Sequence, residues 1–273
     1  MKRLLEKITR KMYFRVTSDR VSTSVSDNQI YPQVCIEASN NYRIFNNFRR
    51  DPIYNQILEH VSEELGKEYL EFVANDPEVL AALEKFKAND DYGNPRIYSY
   101  RDVGEISPTT LRYIKVLVDL KKHFGKLDRL SICEIGVGYG GQCRIINAYY
   151  RPSEYYLVDI APVLSLAQRY IDNYPLDSVL LYKTLNELNY NNYDLVVSNY
   201  AFTELRRSVQ DVYLEKVILR SKRGYITYNE MTPSEFNSYK ARELIEIIPE
   251  SIVLKEEPLT HPKNCLIVWG QDA

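Results

Sequence analysis

No segment of this 273-residue chain holds 18 consecutive apolar residues, so no membrane span is expected. Cysteine is scarce, and Cys35, Cys133, Cys143 and Cys265 have neither metal-site nor disulfide spacing. Cys133 and Cys265 fall in apolar runs and read as small buried residues, which fits a reducing cytoplasm. A positive surplus is missing too. The 35 Lys and Arg against 37 Asp and Glu leave a net charge of −2, without the basic excess that marks a nucleic-acid binder. Neither an Asp-Asp pair nor a His/Asp cluster follows the fourth strand, where Ser198-Asn199 stand, so no metal is expected. The opening Met1-Lys-Arg-Leu-Leu-Glu-Lys-Ile8 lacks the apolar core of a signal peptide. No internal repeat is visible.

What the chain does have is tyrosine, 24 residues in all, amphipathic rings suited to packing and to half-buried pockets. It also concentrates glycine in one place. Glu134-Ile-Gly136-Val-Gly138-Tyr-Gly140-Gly141-Gln142 follows the apolar run Leu130-Ser-Ile-Cys133 and precedes the helical pattern Cys143–Tyr150. Strand, glycine turn and helix start in that order make a nucleotide-binding loop, because glycine lets backbone N–H groups approach a ligand and takes positive φ freely. Asp159 closes the next apolar run, Tyr155–Val158, where a carboxylate can accept both ribose hydroxyls of an adenosine. Gly136, Gly138 and Gly141 also satisfy the dinucleotide pattern G-x-G-x-x-G, so an NAD-dependent oxidoreductase is the rival reading. The Glu134 carboxylate favours S-adenosylmethionine. That molecule has no phosphate and carries a sulfonium and an ammonium, whereas a pyrophosphate beside a carboxylate is unfavourable. A glycine turn without a ligand is the plain alternative, although so many glycines together are costly.

The chain divides near residue 105. Residues 1–105 read as a mainly helical extension or lid. Leu4, Leu5, Ile8 and Met12 recur at helical spacing among basic residues, which suits packing on a partner subunit in a homo-oligomer, or an anionic membrane surface. Thr17 to Asn28 reads as a connection. Asp51-Pro52 opens a helix through about His60, and Asp76-Pro77 opens another with Val79, Leu80, Leu83 and Phe86 on one face. Residues 106–273 read as an α/β domain. Ser107-Pro108 starts a helix that Gly125 stops. Strands are expected at Leu130–Ile135, Tyr155–Val158, Ser178–Tyr182, Tyr193–Val197 and Tyr225–Tyr228, with helices near 140–150, 161–173 and 207–222. Such alternation predicts a parallel sheet covered on both faces. A helix near 233–248 then leads to strands Ser251–Glu256 and Leu266–Trp269. The connection between these two is too short for a parallel crossover, so they should pair antiparallel. A mostly parallel seven-stranded sheet with an antiparallel C-terminal strand is the arrangement of Rossmann-like methyltransferases.

Four stretches carry a resemblance: Ile106-Ser-Pro-Thr-Thr-Leu-Arg-Tyr-Ile-Lys115, Glu134–Gln142, Val197-Ser-Asn-Tyr-Ala-Phe-Thr-Glu-Leu205 and Pro258-Leu-Thr-His-Pro-Lys-Asn-Cys265. Together with Asn89-Asp90 and Gly93-Asn-Pro95, they resemble the bacterial sugar O-methyltransferase family, over about residues 88–270. The resemblance implies S-adenosylmethionine as cofactor. It also implies methyl transfer to a hydroxyl of a sugar or sugar-derived precursor, in the setting of capsule and lipopolysaccharide synthesis. A non-sugar small molecule such as a phosphorylated capsule precursor is the alternative acceptor, and a non-catalytic cofactor-binding partner the alternative role.

Methyl transfer to an alcohol needs alignment and a base. His261, held between prolines in the last loop, and Glu204, after the fourth strand, are the candidate bases, with Glu105 and Tyr100 next. His60 and His123 read as surface residues. Gly136, Gly138 and Gly140 should lie under the methionine and ribose, Glu134 near the ammonium, Asp159 on the ribose and Ile160 near adenine. Asn199 and Tyr200 suit the methionine end, and Gln142 caps its helix or reaches the carboxylate. Tyr100, Thr109, Thr110, Arg112 and Tyr113 are the candidate acceptor contacts. Arg112 gains weight if the acceptor bears phosphate.

Overall fold

The computed structural model describes residues 30–271; the basic helix of residues 4–12 and the connection 17–28 lie outside them. The described chain opens with helices α1 (Ile30–Asn40), α2 (Tyr42–Phe45), α3 (Pro52–Ile57), α4 (Glu63–Ala74), α5 (Pro77–Ala81) and α6 (Leu83–Lys87). Asp51 starts α3 by accepting from the backbone of Ile53 and Tyr54, with Pro52 at the first turn. The single helix expected after Asp76-Pro77 is two. Ala82 N–H bonds to the Val79 carbonyl and Lys85 N–H to Ala82, three-residue spacings that tighten and break the α-helix there. A short hairpin, β1 (Tyr98–Tyr100) and β2 (Gly104–Ile106), leads to α7 (Pro108–Phe124), which Ser107 caps and Gly125 ends at φ 67°.

The remainder alternates: β3 (Ser131–Ile135), α8 (Gly141–Tyr149), β4 (Glu154–Val158), α9 (Ala161–Ile171), β5 (Val179–Lys183), β6 (Tyr193–Asn199), α10 (Arg207–Lys216), β7 (Ser221–Tyr228), α11 (Ala241–Ile247), β8 (Ile252–Lys255) and β9 (Cys265–Trp269). The seven strands from β3 onward form one sheet in the order β5-β4-β3-β6-β7-β9-β8. All pairings among β3 to β7 are parallel, while β9 runs antiparallel between β7 and β8. The helix expected over 233–248 is reduced to Ala241–Ile247. Asn237 takes φ 49° upstream, and Tyr239 N–H is held by the Gln210 side chain instead of by a helical carbonyl.

The period-two pattern of the strands sends residues to opposite faces. Ile132, Tyr155, Leu157, Leu195, Val197 and Tyr225 pack beneath α7, α8, α9 and the N-terminal helices in one core. Cys133, Ile135, Val158, Val196, Ile226 and Ile267 pack against Tyr213, Leu214, Leu244 and Ile248 in the other. The chain reverses direction across the sheet between β3 and β6, and ligands of open α/β sheets bind outside the strand carboxyl ends at such a point. Among the described residues no helix is long and apolar enough to cross a membrane.

Candidate active site

The turn leaving β3 is built on left-handed backbone: Gly136 at φ 80°, Gly138 at 54° and Gly140 at 86°. A Cβ on Gly136 would overlap the Ala201 side chain, and one on Gly138 would come within 2.8 Å of Leu58 Cδ1. Gly136 N–H is fixed by the Val158 carbonyl at 2.9 Å. One strand over, Asp159 accepts from Ile160 N at 2.8 Å and from Gly138 N at 3.4 Å, so its carboxylate is tied to the turn. Burial pushes its pKa up to about 6. Ile160 is exposed at 39%, which leaves an apolar side chain free beside that carboxylate.

Glu134 departs from expectation. It is 2% exposed, accepts the Tyr155 hydroxyl at 2.6 Å, and burial pushes its pKa up to about 8. Desolvation outweighs the hydrogen bond from Tyr155. Glu134 is thus held inside the sheet by Tyr155, whereas Asp159 is bonded to the turn itself. Gln142 does not cap its helix either. Its amide donates to the Tyr113 carbonyl at 3.2 Å and accepts from Asn199 at 3.5 Å, linking α7 to the end of β6.

The N-terminal helices close over this turn. Arg49, fully buried, donates from Nε and Nη2 to Glu59 at 2.6 and 3.2 Å, from Nη1 to Asp90 at 3.0 Å and from Nη2 again to Ser107 at 3.2 Å. Its guanidinium lies 4.8 Å over the ring of Tyr139, the residue between two of the turn's glycines. Asn89 joins the same group, donating to Thr110 at 3.0 Å and to Tyr139 at 3.2 Å. Thr110 donates to Asp90 at 2.7 Å, and Thr109 hydrogen-bonds Glu59. Thr109 and Thr110, expected at the acceptor, therefore spend their hydroxyls inside a buried polar hub. Tyr100, expected there as well, is 3% exposed and packs on α4 with its hydroxyl toward the Glu63 carbonyl.

A narrow cleft with about 20 Å³ of free volume lies at the end of β6, lined by Tyr69, Arg112, Tyr113, Lys115, Asn199, Tyr200, Thr227, Glu256, Glu257 and Pro258 among others. Arg112 donates to the Leu58 carbonyl at 3.2 Å and lies 5.4 Å over the Tyr113 ring. Tyr200 sits directly after β6 at φ 64°, a conformation a bulky residue adopts only when its surroundings impose it. Its N–H bonds to the Thr227 carbonyl at 3.0 Å and its hydroxyl donates to Glu256. The other oxygen of Glu256 accepts from Thr260 N and Oγ1, each at 2.8 Å. Glu256 thus pins the final loop to the end of β6.

Of the residues read from sequence, Arg112, Tyr113, Asn199 and Tyr200 share the cleft. His261 and Glu204 are not among its lining. His261 accepts at Nδ1 from Lys263 N at 3.3 Å within its own loop. Glu204, whose pKa burial raises, is bound by Asn229 at 2.7 Å. Sequence reading missed Tyr69, Thr227 and Glu256 in the cleft, and Leu58 over the turn. Glu256 had one available signal, a carboxylate just past the penultimate strand and two residues before the Pro258 motif. Among the described residues no group of three or more His, Cys, Asp or Glu side chains gathers as a metal site.

No family model matches this chain, and no curated protein matches its sequence. Solved structures do resemble it in fold. The magnesium protoporphyrin IX methyltransferase of Synechocystis PCC 6803, crystallised with bound SAM, is 14% identical, with 57% of this chain and 74% of that one covered at a TM-score of 0.43. The methyltransferase domain of bacterial CtHen1-CN is 14% identical over 58% and 96% of the two chains, TM-score 0.42. The pyocyanin biosynthetic protein PhzM is 13% identical over 61% and 58%, TM-score 0.42. Its strand order and its antiparallel β9 give the chain a Rossmann-like α/β fold, the mostly parallel seven-stranded sheet expected from its sequence.

Proposed function

We propose that this chain is an S-adenosylmethionine-dependent O-methyltransferase, acting in the cytoplasm on a hydroxyl of a sugar or sugar-derived precursor of a bacterial surface polysaccharide. The observation that carries the reading is the positive-φ glycine turn at the sheet's reversal point, tied to the Asp159 carboxylate one strand over and joined through Gln142 to Tyr113 and Asn199 of a tyrosine-lined cleft. The residues present fit an adenosyl ligand: backbone donors on the turn, a carboxylate for the ribose and the apolar Ile160 beside it. A ribose contact from Asp159 would serve NAD equally, so the preference for a methyl donor rests on the mostly parallel sheet closed by the antiparallel β9.

When bound, that donor supplies an electrophilic methyl group, transferred as its carbon–sulfur bond breaks with the electron pair going to sulfur. Gly136, Gly138 and Gly140 support it, Asp159 holds the ribose hydroxyls, and Asn199 and Gln142 face its methionine end. The N-terminal helices act as its lid. Tyr69, Tyr113 and Tyr200 supply flat amphipathic faces to a sugar acceptor. Its hydroxyl gives up a proton, and of the two carboxylates lining the cleft, Glu256 and Glu257, Glu256 is the one joined to the Tyr200 hydroxyl and so placed to take it. We favour Glu256 over His261 and Glu204 on that ground. A phosphorylated acceptor is the second reading, favoured by the Arg112 guanidinium in the cleft wall.

The test incubates the protein with labelled donor and a panel of sugar nucleotides, phosphorylated sugars and polysaccharide fragments. Label passing to a saccharide hydroxyl supports the reading. Label on non-sugar hydroxyls alone removes the sugar acceptor, and no donor binding removes the activity.

A further inference from the structure

Tyr54 is left unexplained by the site described so far. It has no exposed surface, and its hydroxyl has no hydrogen-bond partner, a costly state for a buried polar group. Tyr54 and Leu58 are four residues apart on α3 and its last turn, so they share a face. That face meets the glycine turn, because Leu58 Cδ1 lies 2.8 Å from where a Gly138 Cβ would stand. The Tyr54 ring packs edge-on against Phe48 at 4.9 Å, and Phe48 edge-on against Tyr139 of the turn at 5.7 Å. On its other side Tyr54 meets Tyr31 at 5.7 Å, which feels the charge of Asp159. The Tyr54 ring thus stands one aromatic neighbour away from Tyr139 of the turn, in the layer that α3 lays over it.

We infer that Tyr54 is a donor-binding residue: α3 forms one wall of the S-adenosylmethionine site, and the Tyr54 hydroxyl finds its missing hydrogen-bond partner on a polar atom of the bound donor. This rests on the reading of the turn as a donor site and extends that site to the N-terminal helices. The Leu58 side chain over Gly138 means that α3 shifts to admit the ligand. Two further buried tyrosine hydroxyls among the described residues, on Tyr182 and Tyr193, stand on β5 and at the first residue of β6, and Tyr193, whose hydroxyl has the Asn191 side chain beside it, serves as a control remote from the turn.

The test titrates the full chain with S-adenosylhomocysteine by calorimetry, for wild type, Y54F and Y193F, with a thermal melt of each. Y54F should bind about tenfold more weakly while melting without ligand no lower than wild type, since it loses only an unpaired hydroxyl. Y193F should bind as wild type does. Wild-type affinity in Y54F overturns the inference, as does equal weakening in Y193F. Hydrogen exchange on the wild type gives a second reading that needs no variant: residues 52–58 should gain protection on adding S-adenosylhomocysteine, and unchanged exchange there overturns it. If the wild type itself binds no S-adenosylhomocysteine, the donor site falls and takes this inference with it, whereas wild-type binding with a silent Y54F removes Tyr54 alone.

Discussion

At the scale of single residues, the site depends on carboxyl groups whose surroundings give them different duties. In the proposed donor site Asp159, with its pKa raised to about 6 by burial, must be ionised to accept two ribose hydroxyls. S-adenosylhomocysteine affinity should therefore rise as pH goes from 5 to 7, and calorimetry on D159N should show weaker binding without that rise. Glu134 works the other way. Its folded pKa of about 8 lies above the ordinary 4.5, so the folded state keeps a proton that the unfolded chain has lost. The stability that Glu134 contributes is fully present below pH ~4.5, is lost as pH climbs toward about 8, and is gone above it. E134Q should flatten that fall, as read from urea midpoints at pH 5 and pH 8. Glu256 is the third. E256Q should lower methyl transfer by roughly 10²–10⁴-fold with donor affinity intact, and H261A should keep wild-type turnover. A reversed outcome would restore His261 as the base.

At the scale of elements, the glycine turn is held from outside the sheet. Arg49 carries two carboxylates, Glu59 and Asp90, and stacks on Tyr139 of the turn. Arg49→Met leaves both carboxylates buried without a cation, a change worth roughly 3–5 kcal/mol, so the denaturant midpoint should drop sharply. This hub also marks the limit of sequence reading. Asn89, Asp90, Ser107 and Thr110 stood out as motif residues, but their partner Arg49 lies 41 positions before Asp90, and no local spacing announces such a pairing. The two threonines looked like acceptor contacts because a polar helix start resembles a binding surface; buried hydrogen bonds explain them instead. The strands were legible from their period-two apolar runs, and the turn from glycine itself. The split helix after Asp76 and the shortened α11 were not, since three-residue hydrogen bonds and a left-handed Asn237 override an apolar periodicity.

At the scale of the whole molecule, helices from the first part of the chain, the glycine turn, the end of β6 and the loop after β8 converge on one sheet edge. The cleft draws Tyr69, Arg112, Tyr200 and Glu256 from four separate segments, which is why sequence alone named half of them. The central claim is that this convergence binds an S-adenosyl donor. Its most direct test is calorimetric titration of the full chain with S-adenosylhomocysteine and, separately, with NAD. One molecule of S-adenosylhomocysteine bound per chain with no heat from NAD is the predicted result. Saturable NAD binding with none of S-adenosylhomocysteine would contradict it.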